Sequence, residues 1–156
     1  MSTILPQLEF AFELKIKVEP GHTFEAGATA KGLRRMIQIT GGSFEGPSIK
    51  GTVIPGGYDF QLMRDDNVLE IDARYVLQTD DGAFIMIVNR GLRYATAAVM
   101  RQMASGIEVS PSLYYFRSIP MFETGSKKYN WLNTSVFIAQ GIRRSAEVII
   151  SVFKIL

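Results

Sequence analysis

From Leu8 to Val18 apolar residues alternate with polar or small ones. Leu8, Phe10, Phe12, Leu14, Ile16 and Val18 fall on one side, and Glu9, Ala11, Glu13, Lys15 and Lys17 on the other. A side-chain period of two is that of a strand with one face in a core and one in water. A chain that keeps returning to this period must pair its strands into a sheet and cover the inner face.

The period does return. Pro20-Gly21 predicts the end of the first strand, and the Gly- and Ala-rich residues 21–31 read as a loop. Residues 32–40 read as a second strand, with Leu33, Arg35, Ile37 and Ile39 opposite Arg34, Met36 and Gln38. The glycine-dense stretch GGSFEGPSIKGTVIPGGYDF holds a strand from Ile49 to Ile54 and a short one over 58–64. Glycine inside strands suggests the bends that curl a sheet. After an Asp65-Asp66-Asn67 turn come strands over 68–79 and 83–90, joined by Thr79-Asp80-Asp81-Gly82. Thr96 to Ala104 is the one good helical candidate, with Val99 and Met103 four apart. Residues 113–119, 131–139 and 146–154 complete about nine strands. Short turns between that many strands predict one all-β domain over residues 1–156, an antiparallel barrel closed on itself with one short helix. Closure also removes exposed sheet edges.

Composition narrows the chemistry. Cysteine is absent, which excludes disulfides, thiolate metal sites and cysteine nucleophiles. A single histidine, His22, beside a turn, suits a surface role better than catalysis. The formal charge is +2, and the basic pairs Arg34-Arg35, Lys127-Lys128 and Arg143-Arg144 form no stripe, so nucleic acid is not an expected partner. The start of the chain alternates rather than presenting a basic then apolar leader, and no run approaches the ~18–20 apolar residues of a membrane span. A cytoplasmic protein without membrane contact is expected.

The polar residues with the most to offer lie in LEIDARYVLQTDDG. Ile71, Ala73, Tyr75 and Leu77 share one face, and Glu70, Asp72, Arg74 and Gln78 the other. Asp72 and Arg74 can meet, either as a solvated outer pair or, turned inward, as groups that bind an oxygenated guest. The glycine stretch lacks the Gly-Lys-Ser/Thr and the helix of a phosphate cradle. Asp80-Asp81-Gly82 is too short for a calcium loop and reads as a turn. The segment YYFRSIPMFETGSKKYNWLN gathers Tyr114, Tyr115, Phe116, Phe122, Tyr129 and Trp131 with Arg117, Glu123 and Asn133. Such a cluster fills β cores and also lines small-molecule cavities.

These segments, in this order, resemble the DUF3237 (UPF0311) family. The resemblance runs from about Leu8 to Val152 and rests on the Pro-Gly-Gly-x-Asp run at 55–59, Asp-Ala-Arg-Tyr at 72–75 and Trp-Leu-Asn at 131–133. It implies a small β-barrel of the lipocalin or allene-oxide-cyclase kind. It further implies kinship with fungal natural-product cyclases that work without cofactors. Shared motifs make a pocket role for Asp72 and Arg74 as good a reading as a surface one.

The expected function is therefore cofactor-independent, stereoselective ring closure of an apolar phenolic or polyketide intermediate. One of Asp72, Asp59 or Glu123, kept protonated by an apolar wall, would protonate an alkene or carbonyl. A phenol oxygen would then attack. Arg74 or Arg64 would hold the phenolate, Asn133 would orient it, and Tyr75, Phe116, Tyr129 and Trp131 would line the substrate. Neither metal nor cofactor is expected, and a homodimer is. A lipocalin-like carrier of the same kind of molecule is the rival reading. An interaction module with dimerising strands is a third.

Overall fold

The structure, a computed structural model, describes residues 3–156, and the side chain of His22 lies outside what is described, as does the surface role expected of it. Eight strands run in chain order around a closed barrel. They are β1 (Leu8–Thr29), β2 (Gly32–Glu45), β3 (Lys50–Met63), β4 (Val68–Thr79), β5 (Phe84–Tyr94), β6 (Tyr115–Glu123), β7 (Phe137–Arg143) and β8 (Glu147–Ile155). Every neighbouring pair is antiparallel, and β8 closes on β1 from Leu8↔Ile155 to Lys17↔Glu147. The helix α1 (Ala97–Ala104) lies between β5 and β6, with Thr96 accepting the Val99 N–H as its N-cap. Among the described residues no helix is long and apolar enough to cross a membrane.

The inward positions follow the period of two. β1 buries Phe12, Leu14, Ile16 and Val18, and β4 buries Leu69, Ile71, Ala73, Tyr75 and Leu77. In β2 the phase changes: Ile37 and Ile39 are buried, then Phe44. The change falls at Gly41-Gly42, where the β2–β3 register shifts. Gly42 has φ +138°, and a Cβ there would lie 2.1 Å from the Lys15 carbonyl oxygen. Only glycine fits that bulge.

Three sequence expectations change. The chain does not leave the sheet at Pro20-Gly21. β1 bulges between Val18 and Thr23 and pairs again from Thr23↔Ile37 to Thr29↔Gly32. Proline is tolerated at a bulge because it withholds no ladder donor there, and pairing with β2 overrides the weak strand preference of Gly and Ala. Residues 49–54 and 58–64 form one strand, bulged between Ile54 and Tyr58. The Trp131 segment is a short 3-10 turn (Asn130–Leu132), and its strand begins only at Phe137.

One end of the barrel is filled and the other is hollow. At the filled end Phe12, Phe44, Phe122 and Phe137 interlock, with Phe122 and Phe137 edge to face at 5.1 Å. The hollow end carries the β1–β2, β3–β4, β5–β6 and β7–β8 connections. The segment around α1 crosses its mouth: Met100 is buried, Val99 and Met103 pack on the core, and Glu108 accepts the Ser145 N–H of the β7–β8 turn at 3.3 Å.

Candidate functional site

The hollow end encloses a narrow space of about 40 Å³, room for a few waters or one small polar group. Ile16, Val18, Ile37, Ile39, Ile71, Val148 and Ile150 form an apolar wall around it. Set into that wall are Asp59, Gln61, Tyr75, Asn89, Arg93 and Arg143. Each polar residue occupies an inward position: Asp59 pairs in register with Ile37 and Ala73, and Asn89 with Ala73.

Asp59 sits at the centre of this arrangement. The bulge at Pro55-Gly56-Gly57 brings β3 close over β4, where a Cβ on Gly57 would lie 2.4 Å from that of Tyr75. The approach places Asp59 beside the Tyr75 side chain. Its Oδ2 accepts from Gln61 Nε2 at 2.7 Å, and its Oδ1 accepts the Asp72 backbone N–H at 3.1 Å. Gln61 is held in turn by Arg35 Nε, which donates to its Oε1 at 2.9 Å. Burial raises the carboxyl above its ordinary value of 3.8, against the opposing pull of these hydrogen bonds and of Arg93 and Arg35. The residue nevertheless keeps some accessible surface, and that surface faces the hollow.

Four other groups are buried with polar atoms unpartnered among the described residues, Ser118 Oγ on β6 and three that line the hollow: Tyr75 Oη, Asn89 Oδ1 and Arg93 Nε. Burial pushes the Tyr75 phenol upward, so it stays a neutral donor. Burial also lowers Arg93, to about 10, with Arg143 and Arg35 adding to the effect. Arg93 still carries its charge near neutral pH. Buried polar atoms without partners are uncommon in folded chains. Three of them around one hollow mark a place built to meet a guest.

The structure brings together three of the residues picked from the sequence, Asp59, Tyr75 and Phe116. It places the others elsewhere. Asp72 and Arg74 are on the outer face of β4, because its inward positions are the odd ones. There Arg74 Nε donates to Asp72 Oδ1 at 3.1 Å, and Arg90 lies 3.5 Å from Oδ2. That pairing, led by the Arg74 hydrogen bond, holds the Asp72 carboxyl below its ordinary value, the wrong direction for an acid catalyst. Asp72 touches the site only through its backbone N–H. Arg64 is spent on Asp66 (2.5 Å) and Glu70 (3.6 Å) beside the β3–β4 turn. Glu123 is exposed where β6 ends at the filled end.

Tyr129, Trp131 and Asn133 also belong to the filled end. The Tyr129 hydroxyl donates to both Asp81 oxygens at 3.0 Å, and Asp81, held down to about 2 chiefly by its bond from Lys128, ties the β4–β5 turn to this segment. Trp131 packs against Phe137 at 6.1 Å. Asn133 Nδ2 donates to the Thr124 carbonyl at 2.8 Å and its Oδ1 accepts the Thr124 N–H at 2.9 Å, closing the β6–β7 connection. These contacts hold loops in place and leave the hollow untouched.

Comparison with known proteins fits this barrel. A family model described as "Protein of unknown function (DUF3237)" matches residues 6–155. The chain belongs to the DUF3237 family. It is 38% identical over 151 residues to a UPF0311 protein of Rhodopseudomonas palustris, covering 97% of this chain and 99% of that one. A crystal structure of a conserved protein of unknown function from the same species superposes with a TM-score of 0.93 at 34% identity, covering 99% of this chain and 100% of that one. A more distant relative, 32% identical over 128 residues (82% of this chain, 69% of the other), is named a hydroalkoxylation enzyme of Penicillium herquei. At least one relative of the chain thus carries the name of an enzyme.

Proposed function

We propose that this DUF3237 barrel is a cofactor-independent cyclase that adds a phenol O–H across a carbon–carbon double bond of the same molecule, with Asp59 as the acid. The observation that carries the reading is a carboxyl raised by burial, aimed into a hollow walled by isoleucines. A carboxylic acid in such a place stays protonated to higher pH and can act as a general acid. The name of the Penicillium herquei relative supports the same chemistry.

Asp59 gives its proton to one alkene carbon, whose π electrons form the new C–H bond and leave a cation on the other. The phenol oxygen attacks that cation and forms the C–O bond. Its proton returns to the Asp59 carboxylate, so the reaction is an isomerisation with no net redox change. Tyr75 Oη and Asn89 orient the oxygen, and the Phe116 ring faces the developing cation. Holding the substrate folded gives proximity and selects one face of attack. A substrate larger than the hollow extends into the mouth, where the long side chains of Arg35 and Arg143 are half-buried.

The test is incubation with a panel of ortho-prenylated phenols, read by chiral chromatography and mass. The expected product has unchanged mass, a closed oxygen ring and excess of one enantiomer. Asp59→Asn lowers turnover by about 100-fold or more while substrate binding persists. Tight binding of such phenols with no turnover by the parent protein would overturn the cyclase reading in favour of a carrier.

A further inference from the structure

The charge around the hollow does not balance. Arg93 on β5 and Arg143 on β7 line it, Arg35 on β2 stands behind Gln61 beside it, and the three act on one another as like charges. Opposite them stands one carboxyl, Asp59, itself biased toward its neutral form. Among the described residues none of the three arginines makes an ion pair within 4.0 Å, although six such pairs occur elsewhere on the barrel. Glu25, in register with Arg35 on the neighbouring strand, is exposed and unpaired with it. Arg93 is 6% exposed and Tyr75 and Asn89 3% each, so the polar atoms without partners are held deep in the wall. Burying a guanidinium without a counter-charge is costly, and two half-buried cations beside it make it costlier.

We propose that the guest enters this hollow with an anionic head, a carboxylate separate from the phenol that reacts, held by Arg93 and Arg143 with Tyr75 as a further donor. The proposal rests on the hollow being the substrate site, and it names the substrate class. A guanidinium fork matches a carboxylate in two parallel hydrogen bonds. The size agrees: about 40 Å³ suits a head group, and Ile37, Ile39 and Val148 give the apolar body of the guest a wall to lie against. Arg35 is committed through Nε to Gln61 and serves chiefly to position the Gln61–Asp59 pair, and Arg143, whose Nη1 donates to the Arg144 and Glu147 carbonyls, keeps its other guanidinium N–H groups for the guest.

The experiment is calorimetric titration of the full chain with sodium benzoate and, separately, with benzamide, which has the same ring and no charge. Benzoate is expected to bind at least about tenfold more tightly, the worth of one charge-assisted hydrogen bond. Arg93→Met removes that preference, Arg93→Lys restores part of it, and Arg117→Met, on the outer face of β6, leaves it intact. Arg93→Met is also expected to raise the melting temperature, since it relieves an unpaired buried charge, so loss of binding is distinguished from loss of fold. Equal affinity for benzamide, no heat from benzoate at millimolar concentration, or full binding by Arg93→Met overturns the anionic head. Benzoate binding that persists in Asp59→Asn, with the parent inactive on every prenylated phenol, retains the anion site and overturns the cyclase. Turnover of neutral phenols without benzoate binding does the reverse.

Discussion

The two ends of the barrel are made from the same eight strands, yet their inward positions carry opposite things. At the filled end Phe12, Leu14, Phe44, Leu77, Ile85, Phe137 and Val152 are all at most 2% exposed. At the other end the same strands turn Asp59, Gln61, Asn89, Arg93 and Arg143 inward around a hollow. The contrast separates two jobs. Interlocked apolar side chains supply the free energy that keeps the barrel closed. That surplus lets the other end hold buried polar groups that fold formation alone would disfavour.

The largest expected effect breaks the filled end. Phe137→Ala removes a ring that touches both Phe122 and Trp131. It should cost about 3–5 kcal/mol by urea denaturation. If the ends are independent, the molecules still folded bind benzoate as the parent does. Loss of binding with the fold intact would show that the aromatic plug shapes the hollow.

A smaller effect sharpens the hollow end, through its pH dependence. Asp59 has its carboxyl raised in the fold. Between its ordinary value of 3.8 and that raised value, the folded protein holds a proton that the unfolded chain has released. Stability contributed by Asp59 is therefore present below that window and lost as pH rises through it, by about 1.4 kcal/mol for each pH unit of displacement. Denaturation curves taken across this range should fall for the parent protein and flatten for Asp59→Asn. A parent curve that rises there would mean that the carboxyl is stabilised charged by the arginines, and would remove the acid from the proposed reaction.

Much of this architecture is legible in the chain itself. The alternation at Phe12–Val18 and at Leu69–Leu77 already assigns the inner faces, and Thr96–Ala104 marks the helix, but Leu8 and Phe10, read on the same face, are exposed because the β1–β8 register shifts between Phe10 and Phe12. The hollow is only half legible. Arg35 shares its phase with Ile37 and Ile39, which flags an arginine on an apolar face. Asn89 and Arg93 likewise continue the phase of Ile85 and Ile87, but a strand read as ending at residue 90 leaves Arg93 in a loop. Arg143 falls between two strand readings for the same reason. Period tells which way a side chain points and says nothing of its height along the barrel axis. Phe116 and Tyr129 lie close in sequence, yet β6 runs the length of the barrel between them, so one lines the hollow and the other closes the far end.

The smallest expected effect tests whether position on the wall matters more than motif. Asp72 and Asp59 lie on neighbouring strands, joined by the Asp72 N–H to Asp59 Oδ1 bond, and face opposite sides of the sheet. Asp72 belongs to the distinctive Asp-Ala-Arg-Tyr run, but its carboxylate meets Arg74 and Arg90 in the open. Its lowered carboxyl contributes stability above the ordinary carboxylate value and loses it as pH falls, the opposite sign to Asp59. Asp72→Asn keeps the backbone donor that Asp59 uses and removes only the exposed charge. Turnover and benzoate affinity should stay within about twofold of the parent, as surface changes usually do. A large loss of turnover in Asp72→Asn, with Asp59 still titrating as before, would mean that the outer ion pair sets the geometry of β4 beneath the acid. The ion-paired half of the motif would then act by positioning the strand, since the Asp72 and Arg74 side chains face away from the hollow that Ala73 and Tyr75 line.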